Sequence, residues 1–203
     1  MKIQHLLSTM LVAAALVVTL PRLAHAWSHP EIDAAVGTTL RADGEPSEGG
    51  ATGVFSAMWP FASRARFGVS GFADDIGSRT GHLYDPNNGT DLGMAAFAHR
   101  WVWGGAWRTD VDVIRFGRWT ATGVGTWGWS RVEDDVRGRP LSAASAVGLS
   151  LGGEVRRTIA PGQSLGVIVR SHRLFAERNA AYRRTNHYIT AAVEWGWAGA
   201  PRP

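Results

Sequence analysis

The 203-residue chain contains no cysteine. That absence excludes a secreted disulfide scaffold, thiol catalysis and a cysteine-based zinc site. Beyond residue 20 the chain also lacks any stretch near the roughly 20 continuous apolar residues that a membrane-spanning helix requires. Lysine is all but missing, with arginine in its place, and the net charge is only +4. No basic patch interleaved with aromatics is present, so nucleic acid is not an expected partner. What the chain does have is ten Trp and 25 Gly at moderate overall hydrophobicity. Many tryptophans, many glycines and no long apolar run suit a β-barrel in which strict alternation hides the apolar residues.

The N-terminus begins with Lys2, continues with an apolar run from Leu6 to Leu20, and reaches Ala24, His25 and Ala26. A basic start, a short apolar core and a small-residue A-x-A ending predict a cleaved secretory signal peptide over 1–26. Without Lys2 and Arg22 the remainder carries 19 basic against 17 acidic residues, a net charge of +2. A single domain over 27–197 and a short tail over 198–203 are expected by size.

The clearest period-two pattern lies near the C-terminus, from Thr185 to Trp197. It places His187, Ile189, Ala191, Val193, Trp195 and Trp197 on one face and Asn186, Tyr188, Thr190, Ala192, Glu194 and Gly196 on the other. That is a strand with one oily face ending in two tryptophans. Comparable alternation predicts strands over Glu31–Asp43, Thr52–Phe61, Arg64–Asp74, Trp119–Ser130, Ser142–Arg157 and Ser164–Leu174. Between Trp119 and Trp129, at about 3.3 Å per residue and a tilt near 40°, the outward face spans roughly 25 Å, the height of an apolar membrane band. The segment Asp91–Ile114 reads as one long strand bent at Gly104–Gly105, because glycine inside a strand marks a bulge and single-chain barrels have even strand numbers. The alternative is two short strands joined there. Polar loops are expected over Asp43–Gly50, Asp75–Thr90, Val132–Pro140 and Glu177–Arg184.

The result is an all-β, antiparallel, up-and-down transmembrane barrel of eight strands with both ends on the periplasmic side. This pattern resembles the small outer-membrane β-barrels of Gram-negative bacteria, the broad OmpA-like and OmpW-like group, over nearly the whole chain after the signal peptide. The resemblance rests on the strand pattern and on the aromatic-ended last strand. It implies a porin-like outer-membrane protein, with outer-membrane lipid, lipopolysaccharide and the outer-membrane assembly machinery as partners and no cofactor. Members of that group usually end at the terminal aromatic. Here Ala198–Pro203 continues past Trp197, and Ala192 stands where glycine is common.

An aromatic girdle is expected from Trp59, Trp103, Trp107, Trp119, Trp127, Trp129, Trp195 and Trp197. The inward faces collect Glu31, Asp33, Arg64, Arg66, Arg100, Arg108, Asp110, Asp112, Arg118, Glu154, Arg156, Arg170, His172 and Glu194. Both signs occur in similar number, and an eight-stranded barrel is just wide enough for side chains to fill. An interior network of Arg–carboxylate pairs is therefore expected. A narrow ion conduit is the alternative, since Gly37, Gly68, Gly128, Gly148, Gly152 and Gly166 leave room.

The enzymatic alternative centres on His172. Outer-membrane lipid A deacylases present a His-x-Ser pair, the histidine as base and the serine as nucleophile on one face. Here the sequence reads His172, Arg173, Leu174, so the nucleophile position holds leucine and no catalytic residue is assigned. A further alternative is a soluble, periplasmic lipocalin-like barrel, in which the apolar face would point inward. Asp85–Asp91 offers alternating oxygen ligands but lacks the spacing of a calcium loop. Together with Glu133–Asp135 it reads as turn and loop, and no metal site is expected.

Overall fold

The structure, a computed structural model, describes residues 30–42, 49–77, 79–84, 90–97, 99–136, 139–176 and 186–198. The expected signal peptide, most of the calcium-like stretch, the Glu177–Arg184 loop and the tail from 199 lie outside them. Among the described residues there are ten strands: β1 Glu31–Arg41, β2 Gly50–Ala62, β3 Ala65–Asp75, β4 Arg79–Tyr84, β5 Asp91–Phe97, β6 His99–Phe116, β7 Trp119–Val136, β8 Arg139–Ala160, β9 Gln163–Ala176 and β10 Asn186–Ala198.

Eight of these close a barrel in the order β1-β10-β9-β8-β7-β6-β3-β2, every neighbouring pair antiparallel. Apart from β4 and β5, neighbours in sequence are neighbours in space, so this is an up-and-down barrel. The first and last strands seal it, with Val36 opposite Val193 and Glu31 opposite Ala198. Closure leaves no unpaired sheet edge in the wall.

Alternation along each strand sets the two sides of the wall. On β7, Thr122, Val124, Thr126 and Ser130 are buried, whereas Trp119, Trp127 and Trp129 are exposed. On β8, Ser150 and Glu154 are buried and Val147, Leu149, Leu151 and Val155 are exposed; on β9, Ile168, Arg170, His172 and Leu174 alternate with exposed Leu165, Val167 and Val169. The polarity is the inverse of a water-soluble protein's: Arg108 is 0% exposed and Leu151 is 64% exposed.

One end of the barrel carries tight turns, at 63–64, 117–118 and 161–162, together with the start of β1 and the end of β10. Gly117 and Gly162 adopt φ of 58° and 71°, a left-handed conformation that a side chain disfavours. At Gly162 the fold uses this to bring the last strand in, since its carbonyl accepts the Ala198 N–H at 2.8 Å. The opposite end carries the three longer connections, 42–49, 76–98 and 177–185, beside the two-residue step from β7 to β8.

Three expectations need correction. Residues 75–90 are not all loop: β4 lies within them and pairs with β5 in a separate two-stranded sheet, so the segment from 91 contributes β5 to that hairpin and only β6 to the barrel. The glycine pair is not a bulge, because Gly104 and Gly105 stay in unbroken register with Phe72 and Gly71; the irregularity on β6 falls between Asp112 and Ile114. The stretch Val132–Pro140 is largely wall, with Glu133 opposite Ala143 and Asp134 opposite Ser142.

Candidate functional site

The period-two alternation of β1, β3, β6, β8 and β10 drives one charged row from each strand into the lumen toward the turn end. Arg108 is the centre of the group. Its Nε donates to Asp110 Oδ1 at 2.9 Å, and its two terminal nitrogens donate to the two Glu194 oxygens at 2.9 and 3.0 Å. In the strand order β6 and β10 are four strands apart in either direction, so this bidentate pair reaches from one wall to the wall facing it. Such a fork matches carboxylate geometry and is among the stronger hydrogen-bonded pairs. Ser56 adds a further acceptor at 3.2 Å.

Arg66 extends the group sideways, donating to Asp110 Oδ2 at 2.8 Å and to Glu31 Oε2 at 2.5 Å. Glu31 also accepts from Arg156 at 2.9 Å. Asp112 accepts from Thr122 at 2.9 Å and from Arg115, whose Nε lies at 3.0 Å. Asp33 and Glu154 stand less directly in the network. They lie 3.9 and 3.7 Å from Arg108, and both Asp33 oxygens and Glu154 Oε2 make no hydrogen bond among the described residues.

Two residues expected inside are elsewhere. Arg64 and Arg118 are exposed, on the β2–β3 and β6–β7 turns. Strand parity does not extend through a turn, and the positive φ of Gly117 redirects the chain just before Arg118. Arg100 is buried, near the opposite end of β6.

Farther from the turns the lumen changes character. Ala35, Val54, Val124, Ile168 and Ala192 pack together, and beyond them Ile76, Val102, Val132, Ala146, Leu174 and Tyr188 form a second apolar cluster. The sequence placed several of these on inward faces without assigning them a role. Between the clusters lies a polar layer and a small cavity of about 20 Å³ lined in part by Ser70, Thr126, Arg170, His172 and Tyr188. That volume suffices for one water-sized species.

His172 is enclosed in this layer. Its Nε2 is 3.0 Å from Thr190 Oγ1, and its ring stacks on Tyr188 with centroids 4.5 Å apart. It therefore faces away from the outer surface, and Leu174, at the position of the deacylase nucleophile, is buried as well. Tyr188 donates to Asp74 Oδ2 at 2.7 Å, and Thr52 donates to Asp74 Oδ1 at 2.5 Å. This Tyr188–Asp74–Thr52 chain joins β10, β3 and β2 and was not assembled from the sequence, because nothing in local spacing relates residues 114 positions apart. Tyr188→Phe removes the donor to a buried carboxylate and is expected to destabilise the barrel by about 1.5–3 kcal/mol. A denaturant midpoint equal to that of the parent chain would contradict this.

On the outside, Ser171 Oγ lies 2.9 Å from His187 Nε2. No carboxylate pairs with His187 among the described residues, so the contact is a serine–histidine pair without an orienting acid. The eight tryptophans expected in the girdle fall into two groups. Trp119, Trp195 and Trp197 are exposed near the turn end, with half-buried Trp59 close by. Trp107 and Trp127 face each other across β6 and β7 higher up, and Trp103 meets Trp129 edge to face at 6.5 Å. Among the described residues no group of three or more acidic, histidine or cysteine side chains is arranged to hold a metal.

An eight-stranded, all-antiparallel barrel with arginine–carboxylate pairs in its lumen and apolar side chains outside has the architecture of the small Gram-negative outer-membrane barrels. Among solved structures the chain is similar to the neisserial surface protein A (NspA), with TM-score 0.58 and 14% identity, the match covering 84% of this chain and 96% of that one. It is also similar to Ail, the attachment invasion locus protein of Yersinia pestis, in a complex with the heparin analogue sucrose octasulfate, with TM-score 0.43 and 9% identity over 83% and 98% of the two chains. No protein-family model and no curated protein matches the sequence.

Proposed function

We propose that the chain is an integral outer-membrane β-barrel whose lumen is filled by its own side chains, and that it serves envelope structure or adhesion through the end bearing the longer connections. The observation that carries this reading is the inverted polarity of the wall. Val36, Leu151, Val155, Val167, Val169 and Val193 stand outside at 47–67% exposure, while arginines and carboxylates are buried within. In water that exterior would be a large contiguous apolar surface; in hydrocarbon it is the favoured one. A lipocalin-like barrel requires the opposite arrangement, with the ligand cavity lined by the apolar face.

The two groups of tryptophans support membrane insertion, since indole rings favour the level of the headgroups. Lipid and lipopolysaccharide are the partners that this exterior fits, and the outer-membrane assembly machinery is the partner its insertion requires. The Arg108–Glu194 pair across the lumen and the apolar clusters beyond it favour a structural or adhesive role over permeation. Catalysis finds no support in His172, which is sealed from the lipid side.

The test is cell fractionation combined with gel mobility. The protein is expected in the detergent-extracted outer-membrane fraction and to migrate faster unheated than boiled. Release by osmotic shock without detergent would overturn the proposal and favour a soluble periplasmic barrel.

A further inference from the structure

We propose that the turn end of the barrel carries a phosphodiester-binding site, centred on Arg118, Arg157 and Trp119, that takes the headgroup of anionic phospholipids. The proposal rests on the reading of the barrel as membrane-spanning and goes beyond it by naming the lipid class and the residues.

Trp119 opens β7 and lies directly opposite Arg157 of β8. The Arg157 guanidinium sits over the indole, its Cζ 5.6 Å from the ring centroid. A guanidinium stacked in this way keeps its N–H edge free, and that fork suits two oxygens of one phosphate. Arg118 is the adjacent residue on the turn and is exposed. Arg64, Arg118 and Arg157 form no ion pair among the described residues.

The same sign of charge continues around the rim. Arg115, with its side chain 51% exposed, donates to the Ser63 carbonyl at 2.8 Å and so ties the β6–β7 turn to the β2–β3 turn, where Arg64 is exposed. The arc covers β8, β7, β6, β3 and β2, five consecutive strands of the barrel. The described carboxylates at this end, Glu31 and Asp112, turn inward and are held by Arg66, Arg156, Arg115 and Thr122. Outward charge at this end is therefore all positive among the described residues.

Depth supplies the rest of the argument. Phe116 and Trp119, 80% and 49% exposed, flank the same turn as Arg118. Aromatics at the edge of the apolar band place the arginines beside them at the level of lipid phosphates. With the turn end in the periplasm, those phosphates belong to phospholipids and not to lipopolysaccharide.

The test reconstitutes the full chain in nanodiscs of neutral phosphatidylcholine mixed with phosphatidylglycerol, and reads the lipids retained after detergent release by native mass spectrometry. The parent chain is expected to retain phosphatidylglycerol preferentially, by a factor of about ten at low salt, and to lose that preference as salt screens it. The triple variant Arg64→Gln, Arg118→Gln, Arg157→Gln should lose the preference, and the corresponding triple lysine variant, which keeps the charge but not the guanidinium fork, should retain only part of it. Far-ultraviolet circular dichroism checks that each variant retains its β-barrel. Equal retention of both lipids by the parent chain, or an undiminished preference in the glutamine variant, overturns the assignment. Failure of the parent chain to enter any bilayer is a different result and would overturn the membrane reading itself.

Discussion

Replacing Arg108 by methionine is expected to lower the stability of the folded barrel by about 3–5 kcal/mol, because it leaves a buried carboxylate without its cation. Arg108 and Glu194 are 0% and 2% exposed, and Asp110 is as fully enclosed. Losing the arginine strands Glu194 and leaves Asp110 to Arg66 alone, in a lumen where both Asp33 oxygens and Glu154 Oε2 already lack hydrogen bonds among the described residues. The measurement is a urea titration of the detergent-folded protein, followed by the band shift between folded and unfolded forms. The double variant Arg108→Met, Glu194→Met should lose less than the sum of the two single changes, since it removes the pair instead of breaking it. Additive losses would show that the two residues do not act as a pair. A single variant with the parent's midpoint would remove Arg108 from the centre of the network.

The second large effect lies on the opposite face of the wall. Val169→Arg is expected to cost about 2–4 kcal/mol for folding into lipid vesicles, as a charge placed near the bilayer midplane does, and Ile159→Arg at the turn end only about 0–1 kcal/mol. Val169 is 47% exposed and sits opposite Gly153 and Ala191, between the turn-end tryptophans and the Trp107–Trp127 pair. In a barrel surrounded by water both changes would be ordinary surface substitutions, within about 0.5 kcal/mol of neutral. The difference between the two positions, read as equilibrium folding in vesicles, therefore separates a hydrocarbon surrounding from an aqueous one. Equal and small effects would contradict membrane insertion.

The eight wall strands were legible because alternation is local. Each strand displays its own two faces, and residues such as Leu165, Val167 and Val169 against Arg170 and His172 need no knowledge of their neighbours. The hairpin of β4 and β5 was not legible for the same reason. Arg79–Tyr84 sits in a stretch rich in Gly, Asp and Asn, and it is held by backbone pairing with Asp91–Phe97, which leaves no periodic trace. By pattern alone Gly104 reads as a bulge, the site of an extra residue. Its missing Cβ instead makes room for the Trp129 carbonyl and the Ser130 backbone of the neighbouring strand, a close approach that keeps register.

The interior shows a similar division. Which charges belong to inward faces followed from period two, except at Arg64 and Arg118, where the period ends in a turn. Which of them meet did not follow, because partners such as Arg108 and Glu194 are 86 positions apart and become neighbours only when the sheet curls into a closed ring. The Ser171–His187 contact is a diagonal between adjacent strands whose relative register the sequence does not state.

That ring closure has a consequence in time as well as in space. The strand made first, β1, finds its second neighbour only in β10, the strand made last. Until β10 arrives, the other seven wall strands form an open sheet with two bare edges and an oily exterior, the kind of species that pairs with other copies. Bringing ends so distant together costs roughly 4–5 kcal/mol in chain entropy before any contact repays it. Closure of the wall thus waits on the final seam, and a truncation removing β10 would leave a chain prone to aggregate, however well its remaining strands pair.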